Sequence, residues 1–413
     1  MRSPDSRQRV LAIVQAGGSG SRMDVLTRER AKPTLPFAGS LQLVDFPLSN
    51  LAHSGVDDVW LSVQFQGATL EDQVANGRPW NLDRTRGGLR LLMPQQGAGS
   101  MDEDGFATGN ADELYRIRAR IAHHAPDVVL VMSADHVYLL DYAEVIATHR
   151  ESDAECTVVT TRVEPGEAPD HATIETDADG RVVATSYKPE EPTTDVVAAE
   201  VIAYDPTVLV RVLEELHARL GEEAEEGDSG LGDFGEHLLP AMVERGRTVA
   251  HPLDGYWRDL GTPARYLAAH LDVVTDDVGV LERPGWPVLT QQPQRRPARL
   301  LEGAHVANSL LAPGSTVEGQ VVNSVVGPGT HVARGALVNG SVLFSDVVVG
   351  EGAEVTHALV DDRCRIGEGA RVGGVVTDHP LDDDVIVLVG AETVVGRDAF
   401  VEPGARLEPG STA

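Results

Sequence analysis

An apolar stretch at residues 10–14 runs into Gln15-Ala16-Gly17-Gly18-Ser19-Gly20-Ser21-Arg22-Met23, and Lys32-Pro33 follows ten residues after Arg22. Glycines placed directly after a strand present backbone N–H groups to an anion and allow a phosphate to come close. A guanidinium and an ammonium at this spacing add a bidentate fork and a compact point charge. The chemistry that such a set suits is the binding of a polyphosphate. Many tight turns have the same glycine content, so Arg22 and Lys32 carry this reading more than Gly17, Gly18 and Gly20 do.

The elements that must hold these residues are legible as alternation. Residues 10–14, 59–63, 128–132 and 156–159 are short apolar runs rich in β-branched side chains, and residues 111–122, 142–150 and 207–220 have helical periodicity. That order predicts an α/β layer structure with a mixed, mainly parallel sheet. Ligands on such sheets sit beyond the carboxyl ends of the strands, which is where Asp135 lies after the run 128–132.

Composition narrows the partners. With 34 Lys+Arg against 64 Asp+Glu the net charge is −30, which opposes binding to nucleic acid or to an anionic membrane surface. No run approaches the roughly 20 apolar residues that span a bilayer. Residues 1–9 are short and polar, so no signal peptide is expected. Cys156 and Cys364 are far apart and form no metal-binding spacing, and the expected compartment is the reducing cytoplasm.

The sequence pattern changes near residue 280. Residues 281–303, in which 291–299 are polar and proline-containing, are expected to link a domain at 1–280 to one at 304–413. In the latter, apolar residues recur every sixth position, as in Val326-Val332-Val338, Val349-Val355, Ile366-Val372 and Val395-Val401-Leu407. A six-residue period predicts a parallel β-helix in which each flat side contributes one inward aliphatic residue. Subunit packing, as a homo-oligomer (dimer or tetramer), is the role expected of it.

GGSGSRM followed by RAKPTLPF resembles the signature of sugar-1-phosphate nucleotidyltransferases, most closely the glucose-1-phosphate adenylyltransferase branch. LVDFPLSN, PQQ, GNADE, SADHVY, Lys188-Pro189, FGEHLLP and YWRDLGT follow in that family's order, over nearly the whole chain. The resemblance implies a Rossmann-like catalytic domain followed by a left-handed β-helix. It implies attack of a sugar-1-phosphate oxygen on the α-phosphorus of a nucleoside triphosphate, with release of pyrophosphate. By the same resemblance Arg22 and Lys32 bind the β- and γ-phosphates. Asp135 and Asp259 would hold Mg²⁺, and Lys188 the phosphate of the sugar. Gly17, Gly18, Gly20, Gln95 and Gly109 would surround the nucleotide. For Asp259 a structural ion pair with Arg258 is the other reading.

The chain departs from that branch where the acceptor sugar is expected. Tyr187 stands in place of a glutamate, and Ala198-Ala199-Glu200 in place of Ser-Met-Gly. Loss of hydrogen-bonding partners at such positions points to an altered acceptor, a cyclitol such as valienol 1-phosphate, with ATP or GTP as donor. Ordinary synthesis of ADP-glucose is the alternative, and a non-catalytic regulatory subunit a further one.

Overall fold

The expected strand at 10–14 extends to Val10–Ala16, and Leu11, Ala12, Ile13 and Val14 are all fully buried. Consecutive buried residues mean that both faces are covered, as in the middle of an α/β sheet. The computed structural model describes residues 9–18, 20–94, 106–221, 224, 228–275, 278–374 and 382–413. They form two units.

The first unit lies within residues 9–18, 47–134 and 139–257. Its sheet runs in the order Val182–Tyr187, Ala172–Thr176, Val196–Tyr204, Val128–Ser133, Val10–Ala16, Asp58–Val63 and Gly88–Leu92. The last four are mutually parallel, and Val196–Tyr204 runs antiparallel to the strands that flank it. Cys156–Arg162 pairs antiparallel with Val196–Tyr204 and parallel with Thr248–Pro252. The sheet is thus parallel in one half and mixed in the other. The helix Pro206–Leu220 shows why its sequence folds this way. Asp205 caps it by accepting the Val208 N–H at 2.9 Å, a proline follows the cap, and Val208, Leu209, Val212, Leu213 and Leu216 make one buried stripe. That stripe shares its core with Leu114 and Ile121 of the helix Asn110–His124.

The second unit lies within residues 20–46, 135–138 and 258–413. Most of it is the left-handed parallel β-helix, three six-stranded sheets among the described residues. The hexad pattern becomes three aliphatic columns. One is Val317, Val332, Val349, Ile366 and Val395. A second is Val321, Val338, Val355, Val372 and Val401, and the third contains Val326, Leu343, Val360, Val389 and Leu407. Hydroxyls stack as well: Ser309 Oγ accepts the Ser324 N–H, Ser324 Oγ the Ser341 N–H, and Ser341 Oγ the Ala358 N–H, each at 3.1 Å. The first coil strand is Arg299–Leu300, upstream of residue 304.

The same unit carries the turn Lys32–Thr34, the short pair Pro36–Phe37 and Leu41–Gln42, and the helix Pro263–Thr275. Tyr266 of that helix meets Phe344 of the coil edge to face, at 6.3 Å between ring centres. No helix among the described residues is long and apolar enough to cross a membrane.

Candidate active site

In the second unit four of the sequence-predicted residues come together. Lys32 opens a single helical turn in which the Ala31 carbonyl accepts both the Thr34 N–H at 2.9 Å and the Thr34 hydroxyl at 2.8 Å. Only 7% of its side chain is exposed, and Nζ donates to Asp135 Oδ2 at 2.5 Å. Asp135 lies just past Val128–Ser133, as the strand pattern predicts. Next to it, His136 Nε2 lies 3.5 Å from Asp135 Oδ1 and 3.5 Å from Asp259 Oδ1. Asp259 ends the strand Trp257–Asp259, which pairs with His136–Tyr138. Its other oxygen accepts from Arg265 Nη1 at 3.2 Å. Arg258 instead donates to Asp272 at 3.2 Å, so the reading of Asp259 as the partner of Arg258 is not what the fold adopts.

Arg22 belongs to the turn Ser21–Thr27, which Gly20 begins with φ of 67°, a left-handed conformation open to glycine at little cost. Its guanidinium lies against Gly261. A Cβ there would stand 3.2 Å from Arg22 Nη2 and 3.0 Å from Asp259 Oδ2, so the absence of a side chain lets cation and carboxylate share the spot.

Burial works against both carboxylates, but cations outweigh it. Lys32 and His136 hold Asp135 below its ordinary range against the repulsion of Asp259. His136, Lys32 and Arg265 do the same for Asp259. Two ionised, partly buried carboxylates are the hard oxygen donors that Mg²⁺ takes, usually one or two with phosphate oxygens and water completing the shell. Among the described residues no group of three or more His, Cys, Asp or Glu could hold a metal alone. Asp135 and Asp259 could therefore hold such a cation only if substrate oxygens and water completed its shell.

The first unit holds the other predicted residues. A Cβ on Gly17 would run into the Gln64 amide, whereas one on Gly18 would meet nothing within 4 Å. Gly109 precedes the helix Asn110–His124, and a Cβ there would collide with the backbone at Gly232, whose carbonyl accepts the Ala111 and Asp112 N–H groups at 3.1 and 3.2 Å. Tyr187 donates its hydroxyl to Asp233 Oδ2 at 2.7 Å, and Asp233 Oδ1 accepts the Asn110 N–H at 3.3 Å. Burial, then this hydrogen bond, then the carboxylates of Asp233, Glu200 and Glu236 push the phenol far up, so it stays a donor. Lys188 is exposed, with Nζ 4.6 Å from the centre of the Tyr187 ring. Glu200 has φ of 54° where Val196–Tyr204 slips register against Cys156–Arg162, a backbone that glycine adopts freely and glutamate does not. Gln95 lies outside the described residues.

Sequence reasoning assigned no role to His136, Arg265 or Asp233. His136 stood inside the quoted SADHVY and Asp233 directly before Phe234, so the signal was adjacency to a motif. Nothing in the sequence marked Arg265.

Close to Gly17, the Glu113 carboxyl is pushed up to about 7 from an ordinary 4.5, by burial against hydrogen bonds from Ser62 and Gln15. A raised carboxyl binds its proton more tightly when folded, so its contribution falls as pH rises from 4.5 to about 7. The full effect is roughly 3 kcal/mol. Glu113→Gln is expected to flatten the pH dependence of the melting temperature between pH 5 and 8, and parallel curves for the two proteins would refute it.

Comparison with known proteins identifies the family. Residues 11–276 match the family model described as Nucleotidyl transferase, and residues 297–398 match GlmU-like, C-terminal hexapeptide. The chain is 35% identical to a glucose-1-phosphate adenylyltransferase of Thermomicrobium roseum, over 96% of this chain and 91% of that one. It is 30% identical to one of Bacillus thuringiensis, over 93% and 99%, and 28% identical to one of Acetivibrio thermocellus, over 97% and 92%. The chain belongs to the nucleotidyl transferase family and is a sugar-1-phosphate nucleotidyltransferase of the glucose-1-phosphate adenylyltransferase group.

Proposed function

We propose that the chain transfers a nucleotidyl group from ATP to glucose 1-phosphate, giving ADP-glucose and pyrophosphate. The observation that carries the chemistry is the chain of contacts Lys32–Asp135–His136–Asp259–Arg265, with the Arg22 guanidinium at Gly261. The names of the relatives carry the choice of substrates.

Transfer of this kind depends on positioning and on neutralising charge more than on acid–base work. Lys32 has three donors and uses one on Asp135, and the ammonium supports the triphosphate. Arg22, which is exposed, offers its fork to the pyrophosphate as it gains charge. Asp135 and Asp259 would hold a divalent metal, which when bound would neutralise phosphate charge. Lys188 binds the phosphate of the sugar.

Arg22→Ala is therefore expected to lower kcat by ten- to a hundredfold, and Lys188→Ala to act mainly on KM for the sugar phosphate. Steady-state rates with each substrate varied separate the two. An equal effect of Lys188→Ala on both substrates removes its assigned role.

One observation favours a second reading. Tyr187 occupies Asp233, and Glu200 adds a side chain at a glycine-like backbone, so the acceptor end offers hydroxyls different partners from those of glucose-specific relatives. A cyclitol 1-phosphate such as valienol 1-phosphate, coupled to ATP or GTP, suits that change. Pyrophosphate release across ATP and GTP against glucose, mannose, N-acetylglucosamine and valienol 1-phosphates decides. A specificity constant highest for ATP with glucose 1-phosphate supports the first reading. A hundredfold preference for the cyclitol overturns it.

We read the chain also as a cytoplasmic homo-oligomer; both cysteines are buried and free, which is compatible with a reducing compartment. Sedimentation of the full chain tests the assembly.

A further inference from the structure

Two residues before Lys32, Arg30 leaves its own segment and bonds to the β-helix. Its Nη2 donates to Asp361 Oδ1 at 2.5 Å and to Asp362 Oδ2 at 2.8 Å. The three side chains are 14%, 3% and 19% exposed, so this is a buried cluster. The coil fixes its own half. Asp361 Oδ1 also accepts the Asp362 N–H at 2.6 Å, and Asp362 Oδ1 the Ser345 N–H at 2.8 Å. The guanidinium lies 5.4 Å from the centre of the Phe344 ring, itself almost fully buried.

The link from Arg30 to Lys32 is short and stiff. Ala31, between them, is 4% exposed and accepts two hydrogen bonds from Thr34. Leu35 N–H donates to Lys32 O at 3.0 Å, and Val44 N–H to Pro33 O at 3.0 Å. A displacement of Arg30 cannot be absorbed by a loose loop before it reaches Lys32. On the other side, Ala264 N–H donates to Asp383 Oδ1 at 2.6 Å, next to Arg265, which holds Asp259.

We propose that Asp361 and Asp362 of the β-helix, acting through Arg30, are positioning residues for nucleotidyl transfer that place the Lys32 ammonium. The coil is then part of the catalytic apparatus within its own unit and not only a packing surface. The inference rests on the reading of Lys32 as a phosphate-binding cation. Removing one partner from a buried charge cluster leaves the others uncompensated, so the effect should be large. A displacement of about 1 Å at a catalytic group can cost roughly a hundredfold.

The test uses full-length chains carrying Arg30→Met, Asp362→Asn, Lys32→Ala and the double variant Arg30→Met/Lys32→Ala, with pyrophosphate release as readout. Arg30→Met is expected to lower kcat ten- to a hundredfold with KM for the sugar phosphate within twofold. Asp362→Asn, which keeps one of the two bonds, should cost three- to tenfold, and Arg30→Lys should recover most of the loss. In the Lys32→Ala background Arg30→Met should cost less than twofold, because there is no ammonium left to place. A purely structural role would give losses that multiply. Multiplying losses, or an unchanged kcat in Arg30→Met, overturns the inference. If Arg30→Met fails to fold, the same comparison with Asp362→Asn decides. Lys32→Ala without effect would overturn the reading of Lys32 itself, a separate outcome.

Discussion

Asp259→Asn and Asp135→Asn are each expected to lower turnover by about 10²–10³-fold while the protein stays folded. Each carboxylate is held ionised against burial by Lys32, His136 or Arg265, which leaves it the hard anionic oxygen that the proposed metal role requires. Asparagine keeps the shape and can still accept from Lys32, His136 or Arg265, so the protein should fold, with Asp135→Asn the less stable of the two because it leaves the buried Lys32 ammonium without its carboxylate. The two carboxylates also repel each other, and neutralising one relieves that repulsion. Pyrophosphate release at saturating Mg²⁺, beside a thermal melt, measures both. A rate near wild type for either variant would mean that the carboxylate is not a metal ligand.

Val355→Asp should be the most damaging single change in the β-helix. Val355 is fully buried, with Val338 beneath it and Val372 above it in register. A carboxylate placed there has no cation within its column. Burying it unpaired costs several kcal/mol, a large part of the 5–15 kcal/mol that keeps a typical domain folded. Val355→Ala, which removes two methyl groups and leaves a small cavity, should cost only about 2 kcal/mol. Circular dichroism on heating should therefore show loss of the coil transition in Val355→Asp and a modest downward shift in Val355→Ala. Similar melts for the two variants would place Val355 outside the packed column.

What could be read in the sequence divides along range. The coil was legible because its inward aliphatic residues recur every six positions, so Val349 and Val355, like Ile366 and Val372, announce two neighbouring columns locally. The helix read at 207–220 was legible for the same reason, and Asp205 and Gly221 mark its ends. Asp135 was legible from the strand before it. Long-range pairing of polar side chains leaves no such trace. Arg30 and Asp361 are 331 residues apart, and no period or spacing joins them. Tyr187 and Asp233 each stand next to a motif, but their hydrogen bond depends on how the antiparallel half of the sheet meets the helix Asn110–His124. That half was also the less legible, because Ala172–Thr176 and Val182–Tyr187 are short and polar on one side.

Where the Lys32 segment meets the coil has a consequence for wear. In a stacked solenoid each turn is supported only by its neighbours, so the end turns open first and the middle ones last. Phe344 follows the third and Asp361 the fourth of six strands in their sheet. Arg28 and Asp24 reach Glu408 and Arg406, near the chain's end. Fraying of the terminal turns would release those outer ties and leave the anchor of the Lys32 segment untouched, so hydrogen exchange is expected to be faster at residues 400–413 than around Asp361.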